Sequence, residues 1–285
     1  MLRQNNDRVI NMKKIISVIL AVVMCLCIIP AGVASAAEMP ELTEYGFVEN
    51  NGVKIEYGIY GDMSKEPLLL LPPNGGDMHC FDGSILPEMS KHFKVITISP
   101  RYTGNSDMGD DGLTFEIMSD DLIVLLDELN VEKTKIFGFS DGGNLGMVFT
   151  VAHPERVESL VVMGSNINPL GTKVFDQIGI IWKYLGLMIK AAFTGEAEDI
   201  RRRDIQGLMV YQPNLTFKDL QTIEVPVLNI YGQHDMIKRI HSKRITKNIP
   251  DAQELMIVGG GHGSCFDYTD TIINPALLEF YGVTE

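Results

Sequence analysis

The sequence predicts an α/β fold, a mostly parallel sheet covered by helices, with a helical lid inserted between two of its strands. Three observations carry that reading. Short Val/Ile/Leu runs are bounded by turn residues, helical apolar stripes alternate with those runs, and one long segment has helical character without a strand.

The first two strands fall at 45–49 and 53–60. Between them lies Asn50-Asn51-Gly52, whose Asn-Gly step is a hairpin signal. Continuous apolar runs come next at 68–71, 95–99, 134–138, 157–163, 225–231 and 254–258. Runs of this kind suit strands covered on both faces, as in a parallel sheet. Between 114 and 130, Met118, Leu122, Leu125, Leu126 and Leu129 form one helical stripe. Glu116, Asp120 and Asp121 stand toward its start, where the helix dipole favours acids. A second helix is predicted at 144–152 and ends before Pro154, and a closing helix at 266–280 should be kinked or shortened by Pro275. The segment 166–222 contains helical stretches at 175–193 and 196–209, the only tryptophan (Trp182) and a surplus of apolar side chains, and reads as a lid over the sheet's carboxyl edge.

The first residues read differently. Lys13 and Lys14 precede an apolar run from Ile15 to Ile29, broken only by Ser17, then Pro30, Gly32 and the small residues Ala34-Ser35-Ala36. This is the pattern of a secretory signal peptide cleaved after Ala36, and the run is short for a membrane span, which needs roughly 20 apolar residues. The expected organisation is therefore a leader at 1–36, a core at 37–165 and 223–285, and a lid at 166–222. It implies a secreted or extracytoplasmic location, with no stable membrane anchor after cleavage. Loss of the leader removes four basic residues and one acid, so the net charge moves from −13 to −16. Such a body repels nucleic acid and anionic membranes, and taken as a whole it suits a small neutral or cationic substrate. Cys80 and Cys265 remain after cleavage, and export permits, without requiring, a disulfide between them. No histidine or cysteine spacing suggests a metal site.

The chemistry centres on Gly138-Phe139-Ser140-Asp141-Gly142, between a strand and a helix. A serine on a sharp strand-to-helix turn projects its hydroxyl, and Gly138 and Gly142 permit the strained backbone. The hydroxyl needs an oriented base. His262 lies in Gly259-Gly260-Gly261-His262-Gly263 after the last strand, and Asp235 comes after the strand before it. Their order along the chain, Ser…Asp…His, strengthens three residues that are each weak signals alone.

From about residue 45 to 280 the chain resembles the α/β-hydrolase superfamily, in the broad branch of small esterases with a helical cap. The resemblance rests on the 138–143 turn, on Gly232-Gln233-His234-Asp235 and on Gly261-His262-Gly263. It implies a cofactor-free acyl-enzyme mechanism on a small ester or amide. Ser140 attacks, His262 acts as base and then acid, and Asp235 orients His262. It also implies an oxyanion hole made by the backbone N–H groups of Asn74 and Asp141. Here the sequence departs from its relatives, with Pro72-Pro73-Asn74 where His-Gly-x is common. A second shared loop, usually Asp-x-Arg-Gly-x-Gly-x-Ser, is present as 99–106 without its leading acid, keeps Arg101, Gly104 and Ser106, and reads as structural. Carboxylic-ester hydrolysis is the leading expectation, beside aminopeptidase-like amide hydrolysis and a catalytically weak binding protein on the same fold.

Overall fold

The computed structural model describes residues 38–283, apart from the side chain of Cys265. The expected leader, and with it Cys25 and Cys27, lies outside the described residues. Among the described residues no helix is long and apolar enough to cross a membrane.

The chain opens with β1 (Leu42–Asn50) and β2 (Val53–Tyr60), an antiparallel hairpin that pairs Asn50 with Val53. Its two turn residues, Asn51 and Gly52, both have positive φ, at 51° and 80°, which is why an Asn-Gly step suits this hairpin. Next come β3 (Pro67–Leu71), α1 (Ile85–Met89), β4 (Lys94–Ser99) and α2 (Phe115–Glu128). They lead into β5 (Thr134–Phe139), α3 (Asp141–Ala152) and β6 (Val157–Met163). Two long helices, α4 (Val174–Thr194) and α5 (Ala197–Tyr211), separate β6 from β7 (Val227–Gly232). The chain closes with α6 (Arg239–Asn248), β8 (Ala252–Ile257), α7 (Ser264–Asp267), a π-helical turn at Thr269–Ile273 and α8 (Asn274–Phe280).

The eight strands form one sheet in the order β1-β2-β4-β3-β5-β6-β7-β8. Only the β1–β2 and β2–β4 pairings are antiparallel. Two cores flank the sheet, and strand alternation assigns side chains to them. Leu69, Leu71, Ile136, Leu160 and Val162 pack on the α2/α3 side. Leu68, Leu70, Phe137, Val161 and Met163 pack with α1 and Leu277 of α8 on the other. This period of two explains why the strands were legible as continuous apolar runs. The helix α2 starts where expected, because the Thr114 hydroxyl accepts the Ile117 N–H at 3.2 Å.

The closing helix differs from its expected form. It is divided into α7, the π turn and α8, with Pro275 in the first turn of α8. Proline lacks an N–H that the first turn leaves unpaired anyway, so Pro275 starts a helix here instead of kinking one. The helix α3 begins three residues earlier than expected, directly at Asp141. The helices α1 and α6 were not foreseen: one is a single short turn around Pro87, the other a mostly polar stretch whose buried residues are His241, Ser242 and Ile245. Cys80 is a free, half-buried thiol pushed up to about 11 by burial, with Asp77 and Asp82 adding. The side chain of Cys265, the other cysteine of the permitted pair, lies outside the described residues.

The 99–106 loop is fixed by two buried charges. Arg101 donates through Nε to Asp121 Oδ2 at 2.6 Å and through its Nη2 to the other oxygen, joining the loop to α2. Both side chains are 3% exposed. The acid missing from the loop is supplied by Glu56 on β2. Its carboxylate accepts from Ser99 Oγ at 2.6 Å, from the Asn105 N–H at 2.9 Å and from Tyr45 OH at 2.8 Å. Burial alone would raise the Glu56 pKa, but these donors, with the Asn105 side chain, outweigh it and hold the carboxyl below its usual range.

Arg101→Met should cost about 3–5 kcal/mol in urea unfolding, because it leaves Asp121 buried without its cation. Arg101→Met/Asp121→Leu should recover most of that loss; a double variant as unstable as the single one would contradict this account. Glu56→Gln should cost about 1–3 kcal/mol near neutral pH, since a primary amide cannot accept from all of these donors. The stabilisation from ionised Glu56 is complete above its ordinary pKa of 4.5 and fades as pH falls through its lowered folded value. The gap between wild type and variant should therefore close in acid.

Candidate active site

In a sheet whose strands β3 to β8 run the same way, every carboxyl end opens on one edge. Loops after β3, β5, β7 and β8 bring Asn74, Ser140, Asp235 and His262 to that edge. Ser140 sits between β5 and α3 with φ 54° and ψ −119°, a conformation that L residues rarely adopt. The turn holds because neighbours over-determine it. The Ser140 N–H donates to the Met163 carbonyl at 2.7 Å, and the Ser140 carbonyl accepts from Gly143 and Asn144, each at 3.0 Å. Gly142 passes so close to β3 that a Cβ there would stand 2.0 Å from the Leu71 carbonyl oxygen. No other residue type fits.

The three residues expected from sequence come together. Ser140 Oγ lies 3.0 Å from His262 Nε2. His262 Nδ1 lies 2.7 Å from Asp235 Oδ1. A carboxylate only accepts, so the proton of a neutral imidazole belongs on Nδ1 and Nε2 is left to receive the serine proton. Asp235 is 2% exposed, and the same oxygen also accepts the Ile237 N–H at 2.9 Å. The imidazole is positioned by packing as well, tilted against Phe139 with ring centres 5.3 Å apart. Gly164 floors the pair, since a Cβ at its φ of +61° would lie 3.1 Å from the His262 ring and 3.3 Å from Asp235 Oδ2.

The His262 and Asp235 loops are stitched to one another. The His234 N–H donates to the Gly260 carbonyl at 2.8 Å, and the Gly259 N–H donates to Gln233 Oε1 at 2.9 Å. This is the role of the 232–235 loop beyond its acid.

Asn74 and Asp141, expected for their main-chain N–H groups, line the same cavity as Ser140 and His262. Among the described hydrogen bonds neither N–H has an internal acceptor, as an anion-binding pair requires. Their side chains add a feature that the sequence did not disclose. Asn74 Nδ2 donates to Asp141 Oδ2 at 2.8 Å and to the Ile205 carbonyl of α5 at 2.7 Å. Asn144 Nδ2 donates to Asp141 Oδ1 at 2.9 Å, while Asn144 Oδ1 accepts the Asn166 N–H at 2.8 Å. Burial raises the Asp141 carboxyl to about 6, against the opposing pull of Asn74, Asn144 and His262. Asparagines scattered along a chain have no local period, so only the fold reveals that these meet.

The cavity over Ser140 measures about 280 Å³. Ile180 and Lys183 of α4 and Met209 of α5 form its far wall. The stem of these helices is pinned to the acid loop. Thr172 bridges Ile237, the Lys173 N–H donates to the Met236 carbonyl at 2.8 Å, and the Lys238 N–H donates to the Gly171 carbonyl at 2.8 Å. His241 supports the same stem by accepting the Ile167 N–H at 3.2 Å, and burial pushes its pKa down to about 4, with Arg244 and Lys238 adding. Among the described residues no group of three or more His, Cys, Asp or Glu is placed to hold a metal ion.

The family model for the alpha/beta hydrolase fold matches residues 66–193. Among curated proteins the chain is 26% identical over 251 residues to a Caulobacter sp. (strain K31) protein that bears the name carbamate hydrolase RutD, covering 77% of this chain and 92% of that one. It is 23% identical to the serine hydrolase BPHL of Homo sapiens over 235 residues, 77% of this chain and 80% of that one. Among solved structures it resembles a hydrolase from Pseudomonas aeruginosa PA01 with a TM-score of 0.71 at 21% identity, covering 85% of this chain and 100% of the other. Sheet order, family model and hydrolase relatives converge: the protein has the alpha/beta hydrolase fold and is a hydrolase.

Proposed function

We propose that the protein is a serine hydrolase that cleaves a small or medium carboxylic ester through an acyl-enzyme intermediate. The observation that carries this reading is the hydrogen-bonded line from Ser140 Oγ through His262 to buried Asp235. Ser140 Oγ attacks the ester carbonyl carbon while its proton passes to His262 Nε2. The carbonyl oxygen becomes an oxyanion facing the N–H groups of Asn74 and Asp141, donors that the two prolines before Asn74 cannot supply themselves. The imidazolium then gives its proton to the departing alcohol, leaving an acyl-serine. Water attacks that ester with His262 as base, and the carboxylic acid leaves with Ser140 restored. The helices α4 and α5 act as a cap that shapes the acyl pocket. Ile180 and Met209 support an apolar acyl chain. The basic head, apolar run and small-residue site of the first 36 residues support action outside the cytoplasm.

Amide-type hydrolysis is the second reading, favoured by the carbamate hydrolase name of a relative. Its aminopeptidase form has less support. Asp141, the acid nearest Ser140 in sequence, is buried and already accepts from Asn74 and Asn144, so it is not free to bind a substrate ammonium. A binding protein without useful catalysis would need this geometry to be idle.

Ser140→Ala should lower turnover of short-chain p-nitrophenyl esters by at least about 10⁴-fold with an unchanged circular dichroism spectrum. Normal turnover by that variant would refute the assignment. Asp235→Asn should lose about 10⁴-fold in kcat, because the imidazole then takes the wrong tautomer. A fluorophosphonate probe should label Ser140 in the wild type and not in Ser140→Ala; an unlabelled wild type would favour the binding protein. Aminoacyl amides run beside the esters will rank the two hydrolytic readings.

A further inference from the structure

The Ser140 cavity does not end at α4. A second cavity of about 520 Å³ adjoins it, and the two share Asn74 and Lys183 as walls. Helical spacing explains the continuity. Ile180, Lys183 and Leu187 fall on one face of α4, and Arg201, Ile205 and Met209 on one face of α5. The inner part of this groove is apolar where it meets Ser140. The outer part is cationic, with Lys183, Arg201 and Arg202 against a single carboxylate, Glu198. Glu198 is committed to Arg202, whose Nε lies 2.7 Å away, and stands 3.9 Å from Arg201 Nε. Lys183 enters no ion pair among the described residues. Two cations are thus left largely unneutralised in the cavity that adjoins the nucleophile's, on a chain whose net charge is −13.

We propose that the outer cavity binds a carboxylate at the far end of the substrate, so that the preferred esters are those of dicarboxylic acids. Lys183 is the principal partner and Arg201 the second. The proposal rests on the Ser140 ester-hydrolase reading and adds the substrate class. It departs from the expectation of a neutral or cationic substrate. Net charge governs the far field of a protein, while a cavity presents the few groups that line it.

The test is a series of p-nitrophenyl monoesters of adipic and suberic acids, each paired with the neutral alkanoate ester of equal chain length. At one length or both, the wild type should show a kcat/KM about five- to tenfold higher for the carboxylate-bearing ester, the size expected of one or two partly exposed ion pairs. Added salt should shrink that ratio. Lys183→Gln should bring the ratio close to one, mainly through KM. Lys247→Gln, at the far end of α6, should leave it unchanged. A wild-type ratio of one or less at both lengths, or a preference that survives Lys183→Gln, would overturn the proposal. Failure of the underlying reading looks different: neither ester of any pair is cleaved and fluorophosphonate does not label Ser140. Cleavage and labelling without charge preference would remove the dicarboxylate proposal alone.

Discussion

The site depends on one close approach, the passage of Gly142 across the Leu71 carbonyl at the carboxyl end of β3. The strands β3 and β5 are neighbours, with Leu71 opposite Gly138. The chain leaving β5 must therefore turn into α3 inside the space beside β3, and it can do so only with no side chain at 142 and with Ser140 at positive φ. That one turn sets the serine hydroxyl at the sheet edge, buries Asp141 beneath the β3 loop, and brings the first N–H of α3 to the cavity that Asn74 also lines. A looser turn would separate all three.

Around this turn the polar groups form a connected set. Asp141 is held by Asn74 on one side and Asn144 on the other, Asn144 holds Asn166, and Asn74 reaches the Ile205 carbonyl on α5. A buried carboxylate is tolerable only where donors converge on it, so this set has to be nearly complete to exist at all. Its position ties the turn at Ser140, the β3 loop and α5 into one arrangement. The prolines at 72 and 73 belong to the same logic, since they stiffen the approach to Asn74 without occupying its N–H.

Much of this was readable in sequence, for identifiable reasons. Leu68 to Leu71 and Val157 to Met163 announced buried strands because both faces of the sheet are covered. Ser140, Asp235 and His262 announced themselves by chain order and by their glycine-rich surroundings. Other features rest on relations with no local signal. Glu56 supplies the acid missing from the 99–106 loop, but it lies on another strand more than forty residues away. The α6 helix escaped notice because it buries only a few residues, so its apolar stripe is faint. Phe266 to Phe280 carried enough apolar residues for one helix, yet the chain breaks it, and Pro275 marks a beginning where an interruption was expected. Net charge carries no sign of the basic lining of one cavity, because an average over the chain conceals it.

The insertion of α4 and α5 between β6 and β7 also bears on how the molecule assembles. The strand β4 lies in the chain between β3 and β5 and itself pairs with β3, which shortens the closure that brings β5 to β3, whereas no strand of the sheet lies between 163 and 227 and β6 can pair with β7 only after that whole segment has been looped out. Closing a loop of roughly 60 residues carries an entropic cost that must be met before the pairing returns anything. The half of the sheet that bears Ser140 can therefore consolidate first, and the half that bears Asp235 and His262 joins it later. Ser140 is in place before Asp235 and His262 arrive, so the hydrogen-bonded line that joins the three is the last part of the site to form as the chain folds.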